Sequence, residues 1–198
     1  MNSVIQRKLQ QMKETNYLDL ADAAINTFDE LPAEFPDLHE FHLERNYFRT
    51  LEGFPFCPKL AVLNIAENAL TDFTGLPSEF PILREINASH NQIHSFRHFP
   101  ITCPKLKELD LSHNQFRTFE GFPSHLRTHL TSLNIEGNPI ETFAGIDSAI
   151  LFSLILQIKR ETLDQFPLEA RERELLKVAI EYPIGDSLRN LEDYLGST

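Results

Sequence analysis

The stretch LKELDLSHNQF, residues 106–116, carries the pattern that decides the fold. Leu109 and Leu111 alternate with polar residues, which is the spacing of side chains that share one face of a short β-strand. The stretch LREINASHNQI, residues 83–93, has the same pattern 23 residues earlier and even repeats the letters SHNQ. That interval is too long for one helical face, so we interpret both stretches as copies of a repeated structural unit.

Five copies of this pattern follow one another over residues 38–143. Besides the two quoted above they read LHEFHLERNYF, LAVLNIAENAL and LTSLNIEGNPI. All five align on asparagines spaced by 22, 23, 23 and 24 residues, namely Asn46, Asn68, Asn91, Asn114 and Asn138. A degenerate copy precedes them, with Ala23 in place of the asparagine. The shared pattern L-x-x-L-x-L-x-x-N-x-L resembles that of the leucine-rich repeat family.

The resemblance implies an α/β solenoid shaped as a horseshoe arc. About six short parallel β-strands would line its concave face, the convex side would be irregular, and helices would cap both ends. The five asparagines would form a structural ladder, each turned inward to bond backbone groups of neighbouring loops. One unit cannot bury its apolar side chains alone, so stacked units must share a core. Four phenylalanines that recur at the period are predicted to lie in that core: Phe73, Phe96, Phe119 and Phe143.

The apolar spacing divides the chain into three parts. Residues 1–14 read as an N-terminal capping helix, and residues 15–147 hold one degenerate and five regular repeats. Residues 148–198 contain three helical patterns, which predict a helical C-terminal cap. The same segment could instead be an interaction module with its own partner, and the sequence leaves both interpretations open.

Composition and charge argue against several classes of partner. The formal net charge is −11, with 29 acidic residues against 18 Lys and Arg, whereas nucleic-acid binding needs clustered basic residues. The first 20 residues lack the apolar core of a signal peptide, and the longest apolar run, residues 149–158, is too short to cross a bilayer. We therefore expect an intracellular, cytoplasmic protein that binds no nucleic acid and does not insert into membranes.

Two Ser-His pairs could be reactive sites, but the repeat pattern instead predicts that these residues lie at the surface of the sheet. In an alternating segment, the Ser89-His90 and Ser112-His113 pairs project side by side, and no acid is placed to orient a histidine. His90 and His113 should face each other on adjacent strands, yet Zn²⁺ would need further ligands, and only Glu67 is near in the pattern. We expect Ser112 to face solvent, and we expect no catalytic residues, no metal, no cofactor and no small-molecule substrate.

The solvent-facing side of the predicted sheet is the candidate binding surface. It is polar and acidic, and its residues are Glu40, His42, Glu44, Asn64, Glu67, Glu85, Asn87, His90, Glu108, Asp110, His113, Asn134 and Glu136. Since leucine-rich repeat proteins mostly act as protein-binding scaffolds, the resemblance implies a non-catalytic scaffold or adaptor, monomeric when free, that docks another protein or a basic or polar segment here. The alternative is a specificity-determining component of an enzyme complex, or a signalling regulator, acting through residues 148–198.

Overall fold

The fold is that of a computed structural model, which describes residues 3–128, 130–141 and 145. The helical patterns at residues 148–198 lie outside the described residues, and so does Phe143. The elements are helix α1 (Ser3–Thr15), strands β1 (Tyr17–Asp19), β2 (Glu40–His42), β3 (Val62–Asn64), β4 (Glu85–Asn87), β5 (Glu108–Asp110) and β6 (Ser132–Asn134), and a 3-10 helix (Ser124–Thr128) between the last two strands.

The six strands form one parallel sheet in the order β1-β2-β3-β4-β5-β6. Every strand is three residues long and pairs in register with the next, so the same repeat position recurs in the same column. The central residue of each strand points into the core and is at most 3% exposed: Leu18, Phe41, Leu63, Ile86, Leu109 and Leu133. The predicted parallel, six-stranded solenoid sheet is confirmed.

The core runs through the whole stack without interruption. Leucine, isoleucine and phenylalanine side chains from all six units join one cluster of buried residues, as expected for repeats that cannot bury their apolar face alone. Phe73, Phe96 and Phe119 are buried in it, as the sequence predicted. The ring centroid of Phe96 lies 4.7 Å from that of Phe116 in the next unit, so aromatic contacts link successive repeats.

The turns repeat their backbone conformation more faithfully than their sequence. After each strand, the residue before the asparagine position has a φ between 52° and 72°, and this row consists of Asp22, Arg45, Glu67, His90, His113 and Gly137. On the convex side, Gly53, Gly75 and Gly121 also have positive φ, and His98, with φ 58°, occupies the equivalent place in its unit. Among the described residues the convex side has only isolated bridges, such as Glu34 with Phe56, and the one 3-10 helix.

Helix α1 covers the first strand of the sheet. Its residue Ile5 is buried in the core, and Leu9 and Met12 pack against the same cluster. Lys8 donates a 2.6 Å hydrogen bond to Asp19 of β1, which ties the helix to the sheet. Within the described part of the chain, no helix is both long enough and apolar enough to cross a membrane.

Candidate protein-binding surface

The asparagine row braces the turns that carry the concave surface. Asn114 is 1% exposed, and its amide nitrogen donates to the carbonyl oxygens of Ala88, Leu111 and Ser112 at 2.9, 3.0 and 3.2 Å. Its Oδ1 accepts a 2.9 Å hydrogen bond from the backbone N–H of Ile93. The equivalent bonds recur in the neighbouring units, so each asparagine connects its own turn to the preceding repeat.

The last residues of the strands form one column across the sheet, called here the last column. Most of their side chains are held by short-range hydrogen bonds that the repeat pattern does not reveal. In five of six units the side-chain Oδ1 accepts a hydrogen bond from the backbone N–H two residues later, at 2.8–3.1 Å, and the residues that do so are Asp19, Asn64, Asn87, Asp110 and Asn134. Ser89 and Ser112 also donate their hydroxyls to Asn87 and Asp110, at 2.8 and 2.6 Å.

The expectation that Ser112 faces solvent was wrong. Ser112 is 6% exposed and Ser89 is 7% exposed, because each hydroxyl turns back to a partner on its own strand instead of to water. A hydroxyl of this kind is bound to the side chain two residues earlier, so neither serine is placed beside its neighbouring histidine as a nucleophile would be.

Three acidic side chains in the first half of the sheet already have a lysine or arginine partner. The Lys8 ammonium lies 2.6 Å from Asp19, and the Arg45 guanidinium lies 2.9 Å from Asp22 and 3.7 Å from Glu67. Burial disfavours the charged form of Asp19, but hydrogen bonds from Lys8 and from the backbone outweigh it and lower the pKa of this carboxyl. The hydrogen bond from Arg45 likewise lowers the pKa of Asp22.

A second cluster in this half surrounds His42. The ring of Tyr17 lies against it with centroids 4.9 Å apart, while Nε2 is 3.5 Å from Glu40 and Nδ1 is 3.7 Å from Glu44. Burial, followed by the charges of Asp19, Glu44 and Glu40, raises the pKa of the Tyr17 phenol. The predicted surface residues Glu40, His42 and Glu44 therefore do lie together, and the His42 ring also contacts Tyr17, which the repeat pattern did not single out.

The second half of the sheet forms an acidic cleft of about 350 Å³ across β4, β5 and β6. Its lining residues are Glu85, Ile86, Asn87, Glu108, Leu109, Asp110, Ser132, Asn134 and Glu136. None of the four carboxylates in the cleft has an ion-pair partner within the described residues, and no basic side chain contributes to the lining. Asp110 is fixed further by a 3.1 Å hydrogen bond from the amide of Asn134. Six of the thirteen predicted surface residues thus meet in one cleft.

His90 and His113 stack on each other beside this cleft. Their ring centroids are 4.2 Å apart and their planes differ by 15°. The lone pairs of an imidazole lie in its ring plane, so those of two stacked rings point in similar directions and do not converge on one ion. A Cβ at Gly137 would lie 2.4 Å from His113 Nδ1, so the absence of a side chain there leaves room for the stacked ring. No group of three or more candidate metal ligands occurs among residues 3–128, 130–141 and 145.

The two cysteines lie away from the concave sheet and are free, buried thiols. Burial raises the pKa of Cys57 to about 12 and that of Cys103 to about 11. The Cys103 sulfur lies 3.1 Å from His125 Nε2, a contact that connects two successive units on the convex side. Thiols with raised pKa are poor nucleophiles at neutral pH, so the geometry favours a packing role.

Comparison with known proteins identifies the repeats. Two family models match the chain, one for leucine-rich repeats in two copies at residues 83–124 and one for a leucine-rich repeat at residues 127–142. Among solved structures, the chain is similar to a Shigella effector LRR domain, with a TM-score of 0.56, 20% identity, and coverage of 90% of this chain and 83% of that one.

A second similar structure is YopM from Yersinia enterocolitica WA-314, with a TM-score of 0.41, 18% identity, and coverage of 74% of this chain and 39% of that one. No curated protein sequence matches the chain. At 20% identity, the likeness to the Shigella domain shows the leucine-rich repeat fold and nothing about a partner.

Proposed function

Because this chain is built from leucine-rich repeats, we propose that it is a non-catalytic scaffold or adaptor that binds another protein on its concave sheet. Domains of this family generally bind other proteins and are typically interaction modules without catalytic activity. A stack of repeats suits such a role, because it presents one extended surface on a rigid frame. The partner that fits this surface best is a basic or polar protein segment.

The observation that carries the proposal is the regular display of polar side chains on the concave sheet. In-register pairing places equivalent residues of successive units side by side, and the short-range hydrogen bonds hold most of the last column in a fixed orientation. Side chains that are fixed before binding lose less conformational entropy when a partner docks. The acidic residues on this face add attraction for a partner of positive charge.

The size of the sheet favours a short partner segment. Six strands at about 4.8 Å span roughly 25 Å, and about five residues of each unit extend roughly 17 Å in the other direction, so the concave face offers about 400–500 Å². A standard interface covers about 800 Å² on each partner. A larger partner would therefore have to extend beyond the sheet, for example onto the turns near Tyr47, which is 67% exposed.

The direct test replaces Glu85, Glu108 and Asp110 together by lysine and measures capture of partner proteins from the native cell. We expect capture of the main partner to be abolished, because three carboxylates of one cleft become ammonium groups. Circular-dichroism melting shows whether the variant is still folded, which must be checked because Asp110 also bonds Ser112.

A matched control reverses charge at Glu52, Glu79 and Glu120, which are exposed carboxylates on the convex side. This control changes the net charge by the same amount, so it should leave capture unchanged if the concave sheet is the binding site. Retained capture by the concave variant would contradict the proposal and would direct attention to residues 148–198.

A further inference from the structure

We propose that the partner is an extended segment with basic side chains at alternating positions, and that these side chains bind in the acidic cleft of β4, β5 and β6 and not on the first half of the sheet. This inference rests on the proposed concave-face function and adds the chemistry of the partner and its position. It follows from an asymmetry of the sheet, because the two halves carry carboxylates in different electrostatic situations.

In the first half, Asp19, Asp22 and Glu67 already form ion pairs with Lys8 or Arg45. Glu40 and Glu44 have no such partner in the described part of the chain, but they flank the His42 ring and the Glu44 side chain is mostly buried. A basic partner that approached these acids would have to displace or share an existing ion pair, and the gain would be small. The cleft carboxylates have no basic partner within the described residues, so a docking ammonium or guanidinium group would form new ion pairs there without breaking old ones. Charge complementarity therefore favours the second half of the sheet, where four carboxylates without a basic partner in the described residues line one cleft.

The basic residues nearest in sequence do not remove this asymmetry. Arg84 and Lys107 immediately precede β4 and β5, but neither lines the cleft, and neither forms an ion pair with a cleft carboxylate in the described part of the chain. Both side chains are exposed. The four carboxylates of the cleft thus remain available to an external cation.

The spacing of the cleft carboxylates sets the spacing of the basic side chains. Glu108 and Asp110 lie two residues apart on one strand, a distance of about 6.6 Å, and Glu85 pairs directly with Glu108 on the adjacent strand, about 4.8 Å away. In an extended segment, side chains at positions i and i+2 share one face and are also about 6.6 Å apart. Lysine or arginine at alternating positions can therefore face two carboxylates at once, whereas consecutive basic residues point to opposite sides.

A neutral polar group of the cleft suits the backbone of such a segment. Asn87 uses its Oδ1 to accept hydrogen bonds from Ser89, and its amide nitrogen has no partner within the described residues. That nitrogen can donate to a backbone carbonyl of the docked segment. Carboxylates for the side chains and an amide for the backbone together match an extended basic peptide.

The test uses the full chain and three labelled synthetic peptides with blocked ends. The first carries three lysines at alternating positions among serines, the second has the same composition with its lysines at every third position, and the third has glutamine in place of lysine. Binding is measured by fluorescence anisotropy at 0.15 M ionic strength and below. We expect the alternating peptide to bind most tightly, the glutamine peptide not to bind, and affinity to fall as salt is added.

Matched protein variants locate the site. The double substitution Glu108→Gln with Asp110→Asn removes two cleft charges and keeps their shape, and asparagine already occupies the place of Asp110 in three other units. The control, Asp19→Asn with Asp22→Asn, removes two charges that are already paired and that lie on or beside β1, four strands from β5. We expect about tenfold weaker binding of the alternating peptide for the cleft variant and less than about twofold for the control.

Three results would overturn the inference. Equal loss in both variants would show that binding follows net charge, and equal binding of the peptide with a lysine at every third position would refute the alternating geometry. If the wild-type chain bound none of the peptides while the triple charge reversal still abolished partner capture, the basic segment would be wrong and the proposed function would stand. Chemical unfolding of both variants ensures that a loss of binding is not a loss of structure.

Discussion

Replacing Asn114 by alanine is expected to lower the free energy of unfolding by about 2–4 kcal/mol, a large part of the stability of a typical domain. The side chain is 1% exposed and takes part in four hydrogen bonds, two within its own unit and two to the preceding unit. The size of the loss depends on which of its partners would be left without a hydrogen bond.

The three carbonyl oxygens retain other donors when Asn114 is truncated. The Ala88 oxygen still accepts from the amide of Asn91, and the Leu111 oxygen still accepts from that of Asn138. The Ser112 oxygen still accepts from the backbone N–H of His90. The N–H of Ile93 loses its acceptor, which costs about 1–3 kcal/mol for a buried donor, and the small cavity adds to this cost.

The assay is urea unfolding followed by circular dichroism, with Asn138→Ala as the matched variant. Asn138 occupies the equivalent place but is only half-buried, so water can reach the N–H of Phe116, and its loss should be smaller. A loss below about 1 kcal/mol for Asn114→Ala, or a larger loss for Asn138→Ala, would refute the reasoning from burial and unsatisfied donors.

Three further predictions concern single positions. Gly75→Ala should destabilise the chain by more than about 3 kcal/mol in the same urea assay, because its Cβ would lie 2.1 Å from backbone atoms, whereas Gly53→Ala, whose Cβ would meet nothing closer than 3.7 Å, should cost only the strain of its positive φ. His98→Gly should melt at a higher temperature than His98→Ala, because both variants lose the 2.8 Å hydrogen bond to Thr74 and only glycine relieves a left-handed strain of roughly 1 kcal/mol; an equal or lower value for the glycine variant would contradict this. Asp19 has a lowered folded pKa, so its stabilisation is present above the ordinary value of 3.8 and is lost as pH falls through the folded pKa. Lys8→Gln should therefore reduce the difference in urea midpoint between pH 6 and pH 3, and an unchanged difference would exclude this pair as its cause.

The fold could be predicted from the sequence because each structural repeat appears there as a recurring pattern of apolar residues. Alternation around Leu109 and Leu111 marks one strand, and its recurrence every 22–24 residues requires parallel strands in register. The same logic places the phenylalanines in the core. The pattern of apolar residues is sufficient to predict the strands and the core, because apolar surface is removed from water by burial in a shared core.

The candidate surface could be predicted only in outline. A polar residue in the pattern shows that a position can face solvent, but not whether its hydrogen-bond partner is water or the chain itself. Ser112 illustrates this limit, because its hydroxyl bonds Asp110 and is buried. The pairing of Arg45 with Asp22 and Glu67 depends on the shared left-handed turn, which brings residues of three units into one row. A list of charges therefore could not distinguish the half of the sheet that holds the Lys8 and Arg45 ion pairs from the acidic cleft.

Within the cleft, the carboxylates are not equivalent as partners for a cation. Asp110 accepts hydrogen bonds from the Ser112 N–H and hydroxyl and from the Asn134 amide, so three of its roughly four acceptor positions are occupied. These bonds reduce the capacity of the Asp110 carboxylate to accept a further hydrogen bond. They also fix its orientation, so binding does not incur the entropic cost of ordering this side chain, which is about 0.5–1.5 kcal/mol. Glu85 and Glu108 have no such restraints within the described residues. Their carboxylates can accept more hydrogen bonds from a bound cation, but their side chains lose conformational freedom on binding. Asp110 should therefore determine where a basic side chain comes to rest, while the two glutamates supply most of the attraction that brings it there.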